Sequence, residues 1–499
     1  MEIPHKRNLH SKTLKTVIIA VLVGFLLISA FFLLYDQLIL GIIFLTLPFG
    51  LLQVSFVFLY PRVGIITALV VNYFAMGLAR YIPGPLGLSV DALLAMTWLA
   101  VIFSQFNRKV NWRLAWNGFT AAAIIWYLYA LLQFFNPEAI SRIAWFYAMR
   151  GIALYMVLTI PLVFLAFHHK KDLDQMLKLW AWFTLAGVAK GVMQQIIGPD
   201  PWEQQWLAVI GGKTHLLPGG LRIFSFFTDA ATYGGSMGYS AVVFLIIALH
   251  TTSSRQRLFY ALVGIAALYG MVISGTRGAL AVPFAGLALY AVLSKQIKML
   301  ITGGALMISI FIFLKFTTIG NSVYEIRRFR TGLDPDNPSL MVRKENQERL
   351  KVYLADRPFG GGLGSAGNWG LRFSPGTFLA ETPTDSWYVQ IWAELGRVGL
   401  SLHLMILLYI LGFSSYLILF KLKSPELKAK AAALLSGMFG IMVASYGSGA
   451  LGQMPNGLIV YMSMAFIHLM PHWEKEESTS LRPSAQMTAA HSSPENLSK

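Results

Sequence analysis

The chain has 499 residues, of which 56% are hydrophobic and only 13% charged. A soluble domain carries about a quarter charged residues, so this composition excludes an ordinary soluble protein and points to an integral membrane protein. The absence of cysteine excludes disulfides, thiolate metal sites and cysteine nucleophiles. Most of the net charge of +17 lies in short loops between apolar runs, the pattern of membrane orientation rather than of nucleic-acid binding.

The first apolar run, 16–35, follows a basic start containing Lys6, Arg7, Lys12 and Lys15. It is longer than a signal-peptide core and a second run follows almost at once, which predicts an uncleaved first span. Runs of roughly twenty residues continue at 38–59, 63–79, 88–106, 114–135, 151–167, 176–197, 231–249, 258–274, 279–294, 299–316, 397–420, 429–447 and 455–470. The fold class predicted is all-α, a polytopic bundle of about 12–14 transmembrane helices.

Orientation follows from the loops. Counting from the inside, the even-numbered connections hold Arg62; Arg108, Lys109 and Arg113; Lys170, Lys171 and Lys178; Arg255 and Arg257; Lys295 and Lys298; and Lys421, Lys423, Lys428 and Lys430. All of them are basic, which predicts a cytoplasmic location for these loops and for both termini. The organisation expected is 1–316 with about eleven spans, an outer loop at 317–386, further spans within 387–471, and a disordered tail at 472–499.

The outer side then holds a loop from 198 to 230, a turn at Ser274-Gly-Thr-Arg-Gly-Ala279, and the long loop 317–386. Loops that long are uncommon without a role. Residues 339–355 read as a surface amphipathic helix with Leu340, Met341, Leu350, Tyr353 and Leu354 on its apolar side.

Arg222 and Arg277 stand at the outer ends of spans, among Ser225, Thr228, Thr232, Ser274 and Thr276. A guanidinium is always charged and grips phosphate oxygens as a fork, so this pair predicts an anion site. The plainer reading is that each snorkels or pairs with a carboxylate such as Asp229. Lys190, inside a span, either lines a cavity or snorkels outward. Asp385, with Glu381 and Glu394 near it, is the candidate general base; Thr384-Asp385-Ser386 equally reads as the cap of a helix starting near Trp387. Gly360-Gly-Gly-Leu-Gly364 lacks the Lys-Ser/Thr ending of a nucleotide loop and reads as shaping a site. His168 and His169 flank the membrane, and no His/Asp/Glu set has metal-ligand spacing, so neither metal nor cofactor is expected.

Three segments in this order resemble the O-antigen ligase and polymerase superfamily of bacterial membrane glycosyltransferases. They are the turn at 274–279, Arg349 followed by Arg357-Pro-Phe-Gly-Gly-Gly-Leu-Gly364, and Asp385-Ser-Trp-Tyr-Val-Gln-Ile-Trp-Ala-Glu-Leu-Gly-Arg-Val-Gly-Leu400. The resemblance implies a GT-C-like fold with a periplasmic loop and a site facing the periplasm of the bacterial inner membrane. It implies a donor glycan on undecaprenyl diphosphate, held by Arg222 and Arg277, with Arg349, Arg357, Gly360, Gly362, Gly364, Asp229, Lys190 and Thr384 near the substrates. The acceptor implied is a hydroxyl on a glycan, on lipid A-core or on a protein, with other glycan-assembly proteins as partners. Ligases of the family carry a histidine where this chain has Thr384, which favours a polymerase or a different acceptor. A lipid-linked oligosaccharide flippase and a non-catalytic assembly subunit are the competing readings; no internal repeat of the kind many transporters show is evident.

Overall fold

A computed structural model describes residues 23–34, 37–82, 84–107, 110–217, 220–295, 297–332 and 338–491. The basic start of the chain, Arg108, Lys109, Asp334 and Asp336 lie outside the described residues. Among those described, the only strands are Leu216–Leu217 and Gly220–Leu221, an antiparallel pair with Leu216 opposite Leu221. Nine of the described helices are long and apolar enough to cross a membrane, from Pro61–Leu78 to Pro425–Ala444. Shorter apolar helices at Val23–Leu34, Phe44–Leu59 and Gly303–Phe316, and the charge-ended helices Lys170–Ile196 and Asn456–His491, fall on the remaining runs read from the sequence. The architecture is that of an all-α polytopic membrane protein, as backbone hydrogen bonding within a bilayer requires of a chain without a barrel.

The chain forms two compact units, Met1–Gly64 with Ala95–Val110, and Ile65–Leu94 with Asn111–Lys499. In the first, Phe32 stacks on Phe44 at 5.3 Å and Phe58 meets Phe103 at 6.0 Å. In the second, the most buried span is Ala230–His250, packed between Ser254–Ile273 and Pro425–Ala444. Its sequence, Ala-Ala-Thr-Tyr-Gly-Gly-Ser-Met-Gly-Tyr-Ser-Ala, explains the position. Small residues let helix backbones approach in a medium where apolar surface alone gives no drive to associate.

Three helix boundaries depart from the apolar runs. Arg142–Met149 continues through a π-turn, Arg150–Leu154, into Tyr155–Ala166. Arg150 interrupts the run in sequence, but in the fold it is satisfied by Asp91 at 2.6 Å, by the Gly87 carbonyl at 2.9 Å and by the Tyr155 hydroxyl at 3.0 Å. The span expected at 397–420 starts ten residues earlier, at Trp387, and bends where Gly396 leaves helical geometry. The last helix runs to His491, helical where the sequence pointed to disorder after His472. Local contacts hold its stretch up to Glu477: Glu474 accepts from the Lys423 and Ser424 amides, Lys170 pairs with Glu477 at 2.7 Å, and His472 with Glu476 at 3.0 Å.

The segment 317–386 contains four helices, Tyr324–Thr331, Pro338–Tyr353, Gly367–Phe373 and Phe378–Glu381. Pro338–Tyr353 falls on the expected amphipathic helix and stays exposed on one side to its end, at Glu348, Arg349, Lys351 and Val352. Leu340 and Met341 are exposed, whereas Leu350 and Leu354 are buried with Ala366, Leu379 and Ala393 in a small core of the loop's own.

Candidate functional site

The turn after Ser254–Ile273 is built by its hydroxyl residues. The Ser274 hydroxyl donates to the Met271 carbonyl at 2.7 Å and accepts from the Thr276 amide at 3.2 Å. The Thr276 hydroxyl donates to the Ala230 carbonyl at 2.9 Å and accepts from Arg222 Nη2 at 3.0 Å. Arg222 is thereby fixed against the turn that carries Arg277. Asp229 is not spent on ion pairing: its carboxylate caps Ala230–His250, accepting from the Ala231 and Thr232 amides at 2.7 and 2.9 Å.

Arg277 is half-buried and held loosely. Its Nη1 reaches the Thr331 carbonyl at 3.4 Å, and its aliphatic stem lies over Gly332. Two further arginines share its surroundings. Arg328 donates to the Gly275 carbonyl, and both Arg328 and Arg343 act electrostatically on Arg277. Four guanidinium groups (Arg222, Arg277, Arg328 and Arg343) therefore gather about one five-residue turn. Concentrating fixed cations in this way is unfavourable unless an anion occupies the space between them.

Asp385 joins this group through Arg343, whose Nε donates to Oδ2 at 3.1 Å, both side chains being about half exposed. The cap of the following helix is Ser386, whose hydroxyl accepts from the Val389 amide at 3.4 Å, so the carboxylate of Asp385 is not used for capping. The Trp387 amide, bonded to the Ser445 and Ser448 carbonyls at 3.1 and 3.0 Å, anchors the segment to the turn after Pro425–Ala444. Thr384 lies half-buried beside Asp385.

The other candidates are engaged elsewhere. Lys190 pairs with Asp200 at 3.0 Å and Glu203 at 3.1 Å and donates to the Tyr81 hydroxyl. Gln194 extends that network, donating to Glu203 at 2.8 Å and accepting from the Ser225 amide at 2.8 Å, so Lys190 helps to hold the 222–229 segment in place. Arg357 pairs with Glu138 at 2.8 Å while stacking on Tyr353 at 4.3 Å, and Arg349 lies over Phe378.

Gly360, Gly362 and Gly364 are buried and work as packing points. The Gly361 and Gly362 amides bond the Ala393 and Glu394 carbonyls at 2.9 and 3.0 Å, and Gly362 and Gly364 press on Ala139 and Ala144. Opposite Gly360, a Cβ at Gly396 (φ 68°) would overlap the Pro358 carbonyl. The left-handed backbone alone costs a side chain about 1–2 kcal/mol. Gly396→Ala is therefore expected to abolish the monodisperse size-exclusion peak of detergent-extracted protein; a wild-type peak would mean that the loop yields instead.

Several residues of this region escaped the sequence reading. Arg328 and Arg343 were two cations in a loop of balanced charge, and only the fold separates them from their neighbours. Arg80 is sandwiched between Trp206 and Phe224, 4.5 and 4.4 Å from the ring centroids, and donates to the Ser225 carbonyl at 2.7 Å. Burial lowers its pKa to about 10, which still leaves it charged at neutral pH. His215 accepts from the Ala230 amide at 3.2 Å, and burial lowers its pKa too. A lone arginine and a lone histidine carried no signal that could have singled them out.

The family model described as O-Antigen ligase matches residues 262–404. The chain carries an O-antigen ligase family domain. The matched segment contains Arg277, Arg328, Arg343, Asp385 and the glycine cluster, while Arg222, Asp229 and Lys190 precede it. The domain supports an O-antigen ligase or polymerase type of function, and with it a glycosyltransferase-like enzyme in a multi-pass membrane protein. No curated protein matches the sequence.

Proposed function

We propose that this O-antigen ligase family protein transfers or polymerises a glycan from undecaprenyl diphosphate onto a sugar hydroxyl at the outer face of the bacterial inner membrane. The observation that carries the reading is the set of four arginines around the 274–278 turn, a place suited to a diphosphate. The acceptor oxygen attacks the anomeric carbon from the side opposite the leaving group. The bond from that carbon to the diphosphate oxygen breaks, the diphosphate departs with the electron pair, and the configuration inverts. Asp385 takes the acceptor proton. Fixed guanidinium groups stabilise the charge that develops on the diphosphate, so the step needs neither a metal nor a nucleotide sugar.

Thr384 stands where ligases of the family have a histidine, and threonine does not act as a base near neutral pH. This favours a polymerase joining repeat units, with Asp385 as the base. The basic cytoplasmic loops support a periplasmic site with both termini inside.

Deletion of the gene is expected to remove long surface glycan chains while leaving single repeat units, seen on gels of surface glycans and lipid-linked intermediates. Full-length polymer stranded on undecaprenyl diphosphate would instead identify a ligase. Intermediates trapped on the cytoplasmic face would overturn the reading in favour of transport.

A further inference from the structure

The helix Tyr324–Thr331, Tyr-Glu-Ile-Arg-Arg-Phe-Arg-Thr, carries arginines in two directions. Arg328 turns to the Gly275 carbonyl and the candidate site. Arg327 and Arg330, one helical turn apart, line a different space: an open cleft of about 450 Å³ between this helix and the end of Ile297–Phe316. Its other polar walls are Lys315, Thr317, Asn321 and Thr331, so among the described residues three cations and no carboxylate line it. Arg330 fixes the wall, donating to Asn321, to the Thr317 hydroxyl at 3.2 Å and to the Ile319 carbonyl at 2.6 Å, while its Nε is buried and meets no acceptor among the described residues.

The cleft opens beside apolar surface. Ile308, Ile312 and Phe316 follow one face of Ile297–Phe316 at four-residue spacing and are all exposed, as are Ile319 and Val323 in the connection to the arginine helix. A cationic, hydroxyl-lined cleft at the end of an exposed apolar helix face has the two-part chemistry of a lipid: acyl chains along the helix and a phosphate at its end. A helix C-terminus attracts a cation and so accounts for Lys315 alone. It does not account for Arg327 and Arg330, which belong to another element.

We propose that this cleft binds the phosphate of an anionic membrane phospholipid, at a site separate from the arginine cluster of the 274–278 turn. Because Arg328 and Arg330 share one short helix, lipid bound on one side steadies the arginine presented on the other. The assignment rests on the cleft and not on the glycosyl-transfer reading.

The test uses full-length protein in nanodiscs, with lipid retention measured by native mass spectrometry. Phosphatidylglycerol is expected to be retained over phosphatidylcholine. Lys315→Gln/Arg327→Gln should weaken that retention by about thirtyfold, the scale expected for two cations near a phosphate. Arg277→Ala should leave it unchanged. Arg330 is kept, because its bonds hold the wall together. Equal retention of the two lipids, or full retention by the double variant, would overturn the site. Loss of phosphatidylglycerol in Arg277→Ala would overturn its independence from the arginine cluster. Complete displacement by millimolar inorganic phosphate would overturn the lipid as its source and assign the cleft to free phosphate.

Discussion

Arg277→Ala is expected to lower glycan transfer by about a hundred- to a thousandfold, the usual loss when one preorganised group facing developing charge is removed. The same substitution should leave the protein as stable as before, or slightly more so. The opposite signs have one cause. Among the described residues Arg277 makes one long hydrogen bond, 3.4 Å to the Thr331 carbonyl, and it lies in the field of Arg328 and Arg343. Asp385 balances part of the Arg343 charge, and the repulsion left between the guanidinium groups is relieved in the resting protein when Arg277 is deleted. With a diphosphate leaving, the same charge stabilises the transition state. The measurement pairs surface-glycan length with the melting temperature of purified protein. Normal glycan from a variant present at wild-type level would remove Arg277 from the reaction. A collapse of stability together with activity would make it a packing residue.

Asp385→Asn is expected to reduce turnover by about 10²–10⁴-fold, the range for loss of a positioned general base. Folding should be unaffected, since the helix cap is the Ser386 hydroxyl and the exposed pair with Arg343 contributes little to stability, about 0–1 kcal/mol. Asparagine keeps an oxygen for Arg343 but has no basic site, so it separates proton transfer from placement of the arginine. The comparison is Arg343→Gln, which leaves the carboxylate and removes a cation from the cluster. If Asp385 is the base, Asp385→Asn loses rate without loss of donor affinity, whereas Arg343→Gln loses both. Near-normal turnover in Asp385→Asn would reduce the residue to a partner that orients Arg343.

Packing points and polar walls divide the work among the motifs. The glycine cluster with Arg357 and Glu394 sets how the 317–386 segment seats on Trp387–Tyr416, and through the Gly396 bend it decides where Asp385 emerges. Lys190 acts in a similar way on the other side, through Glu203 and Gln194 onto the segment that carries Arg222. Neither group needs to touch substrate to matter, and substitutions in either should alter protein level before they alter the substrate preference of what remains.

The sequence by itself determined that this chain is a helical membrane protein, because a bilayer admits few other ways to satisfy a long apolar backbone, and hydrophobic length is a local property. It also singled out Arg277, since a charge at the edge of an apolar run is costly and rarely idle, and Asp385, as a carboxylate able to act as a base or a cap. It could not separate Arg328 and Arg343 from the other cations of a charge-balanced loop, because which side of a helix faces the 274–278 turn depends on how that helix is packed. Nor could it tell that Asp385 leaves capping to Ser386, that Asp229 caps a helix instead of pairing with an arginine, or that Arg150 meets Asp91 across 59 positions of chain. Those choices belong to the tertiary structure alone. The two caps are local bonds and the Arg150 pair a distant one, yet in each case the side chain had other partners open to it, and packing decided which came within hydrogen-bonding distance.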